Sequence, residues 1–214
     1  MNIVLIGATG YVGSQILTEA LNRNHKVTAV ARHANKISIT SNNIIIRQCD
    51  ILKQNETIEI IKGHEAVISA YNPGWKNPDI YDEYIRGYKS ILESMHKTGV
   101  KRIIIIGGAG SLYVKPGLQL VDSPEFPDDW KQGALAARQL YNTIQNEDEL
   151  KWTFVSPAAQ LVPGDRTGEF RYGENDVLFN EKNESKISVQ DLAVAVLNEL
   201  ENPSYIKKRF TVTY

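Results

Sequence analysis

Short continuous apolar runs alternate along this chain with segments whose apolar residues recur every three or four positions. The first pattern predicts strands covered on both faces; the second predicts amphipathic helices packed on them. Met1 to Ile6 reads as a strand that stops at Gly7. Val12, Ile16, Leu17, Ala20 and Leu21 then line one helical face, with a stop at Asn24. Lys26–Val30 and Ile44–Ile46 predict the second and third strands, separated by a polar loop at 38–43. A helix over about 55–62 leads to a fourth strand at Ala66–Ser69.

Asn72-Pro73-Gly74 predicts a turn, and Asn77-Pro78 predicts an N-cap followed by proline in the first helical position. The helix beyond carries Tyr81, Tyr84, Ile85, Tyr88, Ile91, Leu92 and Met95 on one face and ends at Gly99. Ile103–Ile106 is the most apolar run and predicts a central fifth strand. The stretch 112–129, with Pro116, Pro124 and Pro127, reads as irregular. A helix over about 131–145 precedes a sixth strand at Trp152–Val155, which Ser156-Pro157 is expected to break. A hairpin is predicted from 169–172 and 177–179. Ser188 then caps a last helix, and Arg209–Val212 closes as a strand.

Strands alternating with helices in this way predict an α/β fold: a doubly wound, mainly parallel sheet with helices on both faces. The 214 residues suit one domain, with small substrate-side insertions after strands five and six and no repeat or linker. Right-handed crossovers gather ligand sites at the carboxyl ends of the strands. Here those ends carry Gly7, Arg32, Asp50, Ser69, Gly107 and Ser156.

Charge and composition act by exclusion. A net charge of −1 gives no electrostatic reason to expect nucleic acid or an anionic membrane as partner. A single cysteine, Cys49, excludes an internal disulfide. With no signal-like or membrane-length apolar run, it points to the cytoplasm. The four histidines lack metal-ligand spacing, so no metal is expected. The expected partner is a small-molecule substrate; oligomeric state leaves no mark on the pattern.

The chemistry begins at Gly7-Ala8-Thr9-Gly10-Tyr11-Val12-Gly13, between the first strand and the first helix. The first glycine permits a sharp turn, the second lets a pyrophosphate approach backbone, and the third lets the helix pack close to the sheet. The spacing is one residue longer than the usual dinucleotide fingerprint. Arg32 stands where an NAD-selective site carries an acidic residue, with His33 and Lys36 following. A cation there can pair with a 2′-phosphate, so NADPH is expected in preference to NADH. Asp50, with Ile51 beside it, is read either as a partner of the adenine amino group or as an ordinary turn residue. Ser69-Ala70-Tyr71, Gly107, Gly108 and Ser156 are expected beside the cofactor, with its nicotinamide over Ser69, Gly107 and Ser111. Ser111 is the candidate catalytic residue. It would donate to a substrate oxygen or to the carboxamide, the alternative being a loop serine that satisfies backbone. A Tyr-x-x-x-Lys acid pair is missing: Tyr141, in the relevant helix, meets Gln145.

Several motifs together are more specific than the glycine turn. They are Gly107-Gly108-Ala109-Gly110-Ser111-Leu112, Trp152-Thr153-Phe154-Val155-Ser156-Pro157, Pro163-Gly164-Asp165-Arg166-Thr167-Gly168 and Ser185-Lys186-Ile187-Ser188. With them the chain resembles the atypical short-chain dehydrogenase/reductase group with an NAD(P)H-binding domain, above all the bacterial proteins named NADH-flavin reductases. It is more distantly similar to the flavin reductases of the biliverdin reductase B type. The resemblance implies a Rossmann-type fold and hydride transfer from NADPH to a flavin, which needs little acid catalysis from protein. It also implies a role for Ser111 in placing cofactor and substrate. The histidine those distant relatives carry after strand six falls here near Ala159-Gln160 and is absent. Candidate walls for the acceptor are Tyr71, Trp75, Tyr113 and the segment 157–167. A redox-sensing regulator that binds the nucleotide without turnover is the other reading of the same fold.

Overall fold

The computed structural model describes residues 1–214. In chain order the elements are β1 (Asn2–Ile6), α1 (Tyr11–Asn22), β2 (Lys26–Ala31), β3 (Ile44–Gln48), α2 (Gln54–Ile61), β4 (Ala66–Ser69), α3 (Ile80–Thr98) and β5 (Arg102–Ile106). There follow β6 (Tyr113–Lys115), β7 (Leu118–Gln119), α4 (Asp128–Ile144), β8 (Lys151–Pro157), β9 (Gln160–Val162), β10 (Arg171–Gly173), β11 (Lys186–Ser188), α5 (Val189–Glu201) and β12 (Lys208–Thr213). Eight strands form one sheet in the order β10-β12-β8-β5-β4-β1-β2-β3. Every neighbouring pair is parallel except β10–β12. The chain runs outward from β1 to β3, then returns to β4 on the other side of β1. This is the Rossmann-type arrangement, and the reversal between β1 and β4 opens a crevice at their carboxyl ends.

The alternation of side chains along β5 divides the interior into two layers. Ile104 and Ile106 pack with Ile16 and Leu17 of α1 and with Leu192, Val196 and Leu197 of α5. Ile103 and Ile105 pack with Ile61 of α2, Tyr84, Tyr88 and Ile91 of α3, and Leu140 of α4. The tyrosine stripe of α3 is therefore mainly packing, with Tyr84 and Tyr88 buried against Tyr71. Gly99, at φ +75°, terminates α3, and its N–H donates to the Met95 carbonyl. The Ser188 hydroxyl accepts from the Asp191 amide at 2.9 Å and caps α5 as expected.

Four local expectations change. Asn77-Pro78 does not start α3: the Asn77 side chain accepts from the Asp79 amide at 2.9 Å, making a turn that leads into the helix. β8 does not break at Ser156-Pro157 but continues through both, in register with Thr211 and Val212 of β12. A proline at the last position of a strand forfeits only one ladder donor. The hairpin expected near 169–179 does not form, because β10 pairs antiparallel with β12 and the Val177 amide donates to the Tyr113 carbonyl. The irregular stretch after β5 contains the small antiparallel pair β6–β7. No helix is long and apolar enough to cross a membrane.

Behind the sheet, Glu199 of α5 joins three elements. Its carboxylate accepts from Arg102 Nη2 at 2.8 Å, from the Thr153 hydroxyl at 2.9 Å and from the Ser204 amide at 2.8 Å. Burial pulls the Arg102 guanidinium below its ordinary range, and Glu199 pushes it back up. Glu199→Ala strands a buried cation and is expected to destabilise the fold by about 3–5 kcal/mol. Urea denaturation of the two proteins reads this as a drop in midpoint.

Candidate functional site

The first turn is set by close backbone contacts. Gly7, at φ +82°, lies against the Ala70 carbonyl, where a side chain would collide. A Cβ on Gly13 would fall on the Gly7 carbonyl oxygen, so the third glycine lets α1 sit directly on the first. Gly7 and Ala8 donate to the Val30 carbonyl at 2.9 and 3.2 Å, which fixes the turn to β2. The amides of Tyr11, Val12 and Gly13 have no partner in the chain. These free N–H groups and the helix dipole make an anion cradle that fits a pyrophosphate.

The cradle opens into a cavity of about 1270 Å³ along the crevice. Of the expected cofactor residues, Gly7, Thr9, Gly10, Tyr11, Val12, Arg32, Ile51, Ala70, Tyr71, Gly107 and Gly108 line it. Ala8 and Gly13 lie behind them and shape the turn. Arg32 is exposed, and one of its N–H groups donates to the Pro73 carbonyl at 2.9 Å. That bond holds the guanidinium at the cavity edge beside His33. Tyr71 is buried, its hydroxyl donates to the Glu83 carbonyl at 3.2 Å, and burial pushes the phenol up to about 12. With its hydroxyl turned to that carbonyl, Tyr71 serves as a wall of the cavity.

Four expected residues are not brought to the cavity. Asp50 accepts from the Leu52 amide at 3.1 Å, a turn contact, and does not line the cavity. Ser69 is buried, with its hydroxyl against the Tyr88 hydroxyl at 3.3 Å. The Ser156 hydroxyl is buried and without a partner. Ser111 is 2% exposed, and its hydroxyl accepts from Arg209 Nη1 at 2.9 Å. The placement expected for Ser111 is therefore corrected: it anchors the loop from below instead of meeting substrate. Arg209 also donates to the Ser111 carbonyl and, through Nη2, to Asn175 Oδ1 at 2.7 Å, and its guanidinium carbon lies 4.1 Å from the Tyr141 ring centroid. It has no carboxylate partner, and burial lowers its pKa. Tyr141 is occupied by this cation and by Phe154, and it too stays outside the cavity.

The far half of the cavity was largely hidden from sequence reasoning. Val114, Leu118, Leu120 and Phe126 come from the segment after β5; Trp130, Gly133, Ala134 and Ala137 come from α4. Trp75 and 157–161 line it as expected, whereas Tyr113 and 162–167 do not. The residues that α4 presents carry no carboxyl, hydroxyl or amine. The motif 163–168 acts as a fastening. Arg166 makes a two-pronged ion pair with Glu19 of α1 at 2.7 and 2.8 Å, and Asp191 accepts from the Thr167 hydroxyl and the Gly168 amide. That ion pair holds the Glu19 carboxyl below its usual range. On the opposite side, Arg138 ties the base of the 116–127 excursion through Gln119 at 3.0 Å and Asp122 at 2.6 Å.

The chain matches the NAD(P)H-binding protein family over residues 7–203 and belongs to it. The Bacillus subtilis protein YwnB, an uncharacterized protein, is 39% identical over 215 residues, covering 99% of this chain and 98% of its own length. A crystal structure of a candidate epimerase from Bacteroides thetaiotaomicron is 45% identical, with TM-score 0.94, over 100% of this chain and 96% of that one. A Streptococcus pneumoniae structure named as a candidate NADH-flavin reductase is 31% identical, with TM-score 0.86, over 100% and 99% of the two chains.

Gly13→Ala is expected to abolish measurable NAD(P)H binding, because the added methyl pushes α1 off the Gly7 carbonyl and moves all three free amides. Titration of nicotinamide fluorescence checks this, with circular dichroism to show that the sheet and helices persist.

Proposed function

We propose that the protein is an NADPH-dependent reductase that passes hydride to a flavin or a similar small acceptor. The observation that carries this reading is the make-up of the cavity. A phosphate cradle and a cation stand at one end, and at the other is an apolar chamber whose helix wall offers no acid or base. Lys115 and Glu125, from the segment after β5, also line the cavity, but hydride transfer between nicotinamide and flavin needs neither, because the two bound molecules carry that chemistry. The name of the Streptococcus pneumoniae relative is in keeping with it. NADPH supplies the hydride when bound.

The chain's own residues bind and orient. The amides of Tyr11, Val12 and Gly13 would hold the pyrophosphate. Arg32, with most of its five N–H groups uncommitted, would pair with the 2′-phosphate. Gly107 and Gly108 form a floor without side chains on which the nicotinamide can lie close to the acceptor. The cytoplasm, where NADPH is kept reduced, is the compartment this reading implies.

Arg32→Ala is expected to weaken NADPH by about tenfold to a hundredfold, the worth of a charge-assisted contact, and NADH by much less. Equal losses for the two nucleotides would remove the 2′-phosphate assignment. NADPH oxidation by FMN, FAD or riboflavin, followed as loss of nicotinamide absorbance, tests turnover. Tight nucleotide binding with no oxidation by any flavin or quinone would favour the sensing regulator.

A further inference from the structure

The cavity's volume, about 1270 Å³, exceeds the roughly 300–1,000 Å³ usual for a single small-molecule site. It therefore has room for a second molecule beside the nucleotide. The chain has three tryptophans. Trp152 is 2% exposed, whereas Trp75 and Trp130 are 54% and 52% exposed, and both of these line this cavity. Leaving two indoles half in water is unfavourable unless something covers them.

Their positions are linked through α4. The Trp75 ring lies on Gly133, where a Cβ would come within 2.6 Å of Trp75 Cζ3, and Trp130 stands three residues earlier on the same helix. Residues three apart share a helix face, so the two indoles flank one surface. That surface continues inward as Ala134 and Ala137, and the Ala137 methyl lies 4.0 Å from where a Cβ on Gly108 would be. Phe126, half-buried, adds a third ring from the segment that leads into α4. Small residues make a flat floor at the nicotinamide end, and aromatic rings make walls at the mouth. Thin and flat is the shape this admits, and stacking is the interaction it offers.

We propose that this end of the cavity is the acceptor subsite, and that it takes a flat, electron-poor ring system stacked against Trp75 and Trp130: an isoalloxazine or a quinone of similar size. The proposal rests on the reductase reading for its redox step and on the indole geometry for its location. In that step the C4–H bond of the dihydronicotinamide breaks and leaves its electron pair with the hydride, oxidising NADPH to NADP⁺. The acceptor is reduced as a new bond forms, to the ring N5 of a flavin or to a quinone carbonyl. The remaining proton comes from water.

The test uses the full-length protein with Trp75→Leu, Trp130→Leu and the ring-preserving Trp75→Phe and Trp130→Phe. FMN and menadione are titrated separately into protein saturated with NADP⁺, so that no turnover occurs, while tryptophan emission is read. Each is also used as acceptor in NADPH oxidation. In the wild type the acceptor is expected to quench the exposed indoles and leave the emission of Trp152. Each leucine variant is expected to lose about half of the quench and to raise acceptor KM about tenfold, with kcat and NADPH affinity within about twofold. The phenylalanine variants should recover most of the KM. FMN and menadione giving the same pattern supports a general flat-ring site, and only one of them doing so identifies the source. Turnover with unchanged acceptor KM in both leucine variants overturns this subsite and leaves the reductase reading standing. Indole-dependent quenching without any NADPH oxidation keeps the subsite and overturns the reductase reading.

Discussion

The carbonyl of Gly7 is the point on which the cavity depends. It accepts from the Gly10 amide, it forbids a side chain at Gly13, and the residue that carries it is pinned between Val30 and Ala70. Backbone from β1, β2, β4 and α1 thus meets with no side chain between. That contact leaves the amides of α1 pointing into the crevice with no partner. The free donors are not an added feature of the site. They are the first turn of a helix whose N-cap, Gly10, has no side chain to satisfy them, so solvent or a ligand must.

A second constraint is the poverty of functional groups on α4. A helix that faces a reaction chamber with glycine and alanine makes space and little else. Trp152, Phe154 and Tyr141 fill the layer behind it, and Arg209 fastens the glycine loop after β5 from below through Ser111. The loop is therefore rigid and bare, which suits a floor on which two rings must approach. In the proposed reductase such a helix wall leaves selection of the acceptor mainly to shape, with Lys115, Ser123 and Glu125 as the polar groups on the side after β5.

The sheet, its helices and the nucleotide turn were legible in the sequence because each is a local rule: an apolar run, a helical period, a glycine where backbone must pass. Arg32 was legible because topology alone carries the end of β2 to the crevice. Ser111 was misplaced because its partner, Arg209, is 98 residues away, and no spacing in the chain announces that contact. Asp50 keeps two readings because an aspartate after a strand serves a turn and a ligand equally well; the structure adds the Leu52 amide as its turn partner. Trp130 was overlooked for a related reason. It follows a proline-rich stretch that reads as loop, and its meaning appears only when Trp75, from another crossover, is laid on the same helix. β10 escaped because its partner is the last strand and not its neighbour in sequence.

The fastening of 163–168 has a consequence for how relatives of this chain can diverge. One side of the chamber, 157–161, runs directly from β8 into β9, which is paired with β11. A few residues later Arg166 grips Glu19 of the phosphate-binding helix. Chain length is held fixed between those posts, so an insertion there would be transmitted to the nucleotide. The opposite side, 116–127, is anchored over 118–122 by the β6–β7 pair, by the Leu120 amide on the Leu112 carbonyl, by buried Val121 and by Arg138. Past those anchors, 123–127 makes no hydrogen bond to the glycine turn and can change its length and rings more freely. Differences in acceptor among proteins of this build should therefore accumulate on that one side, while the other is inherited nearly unchanged.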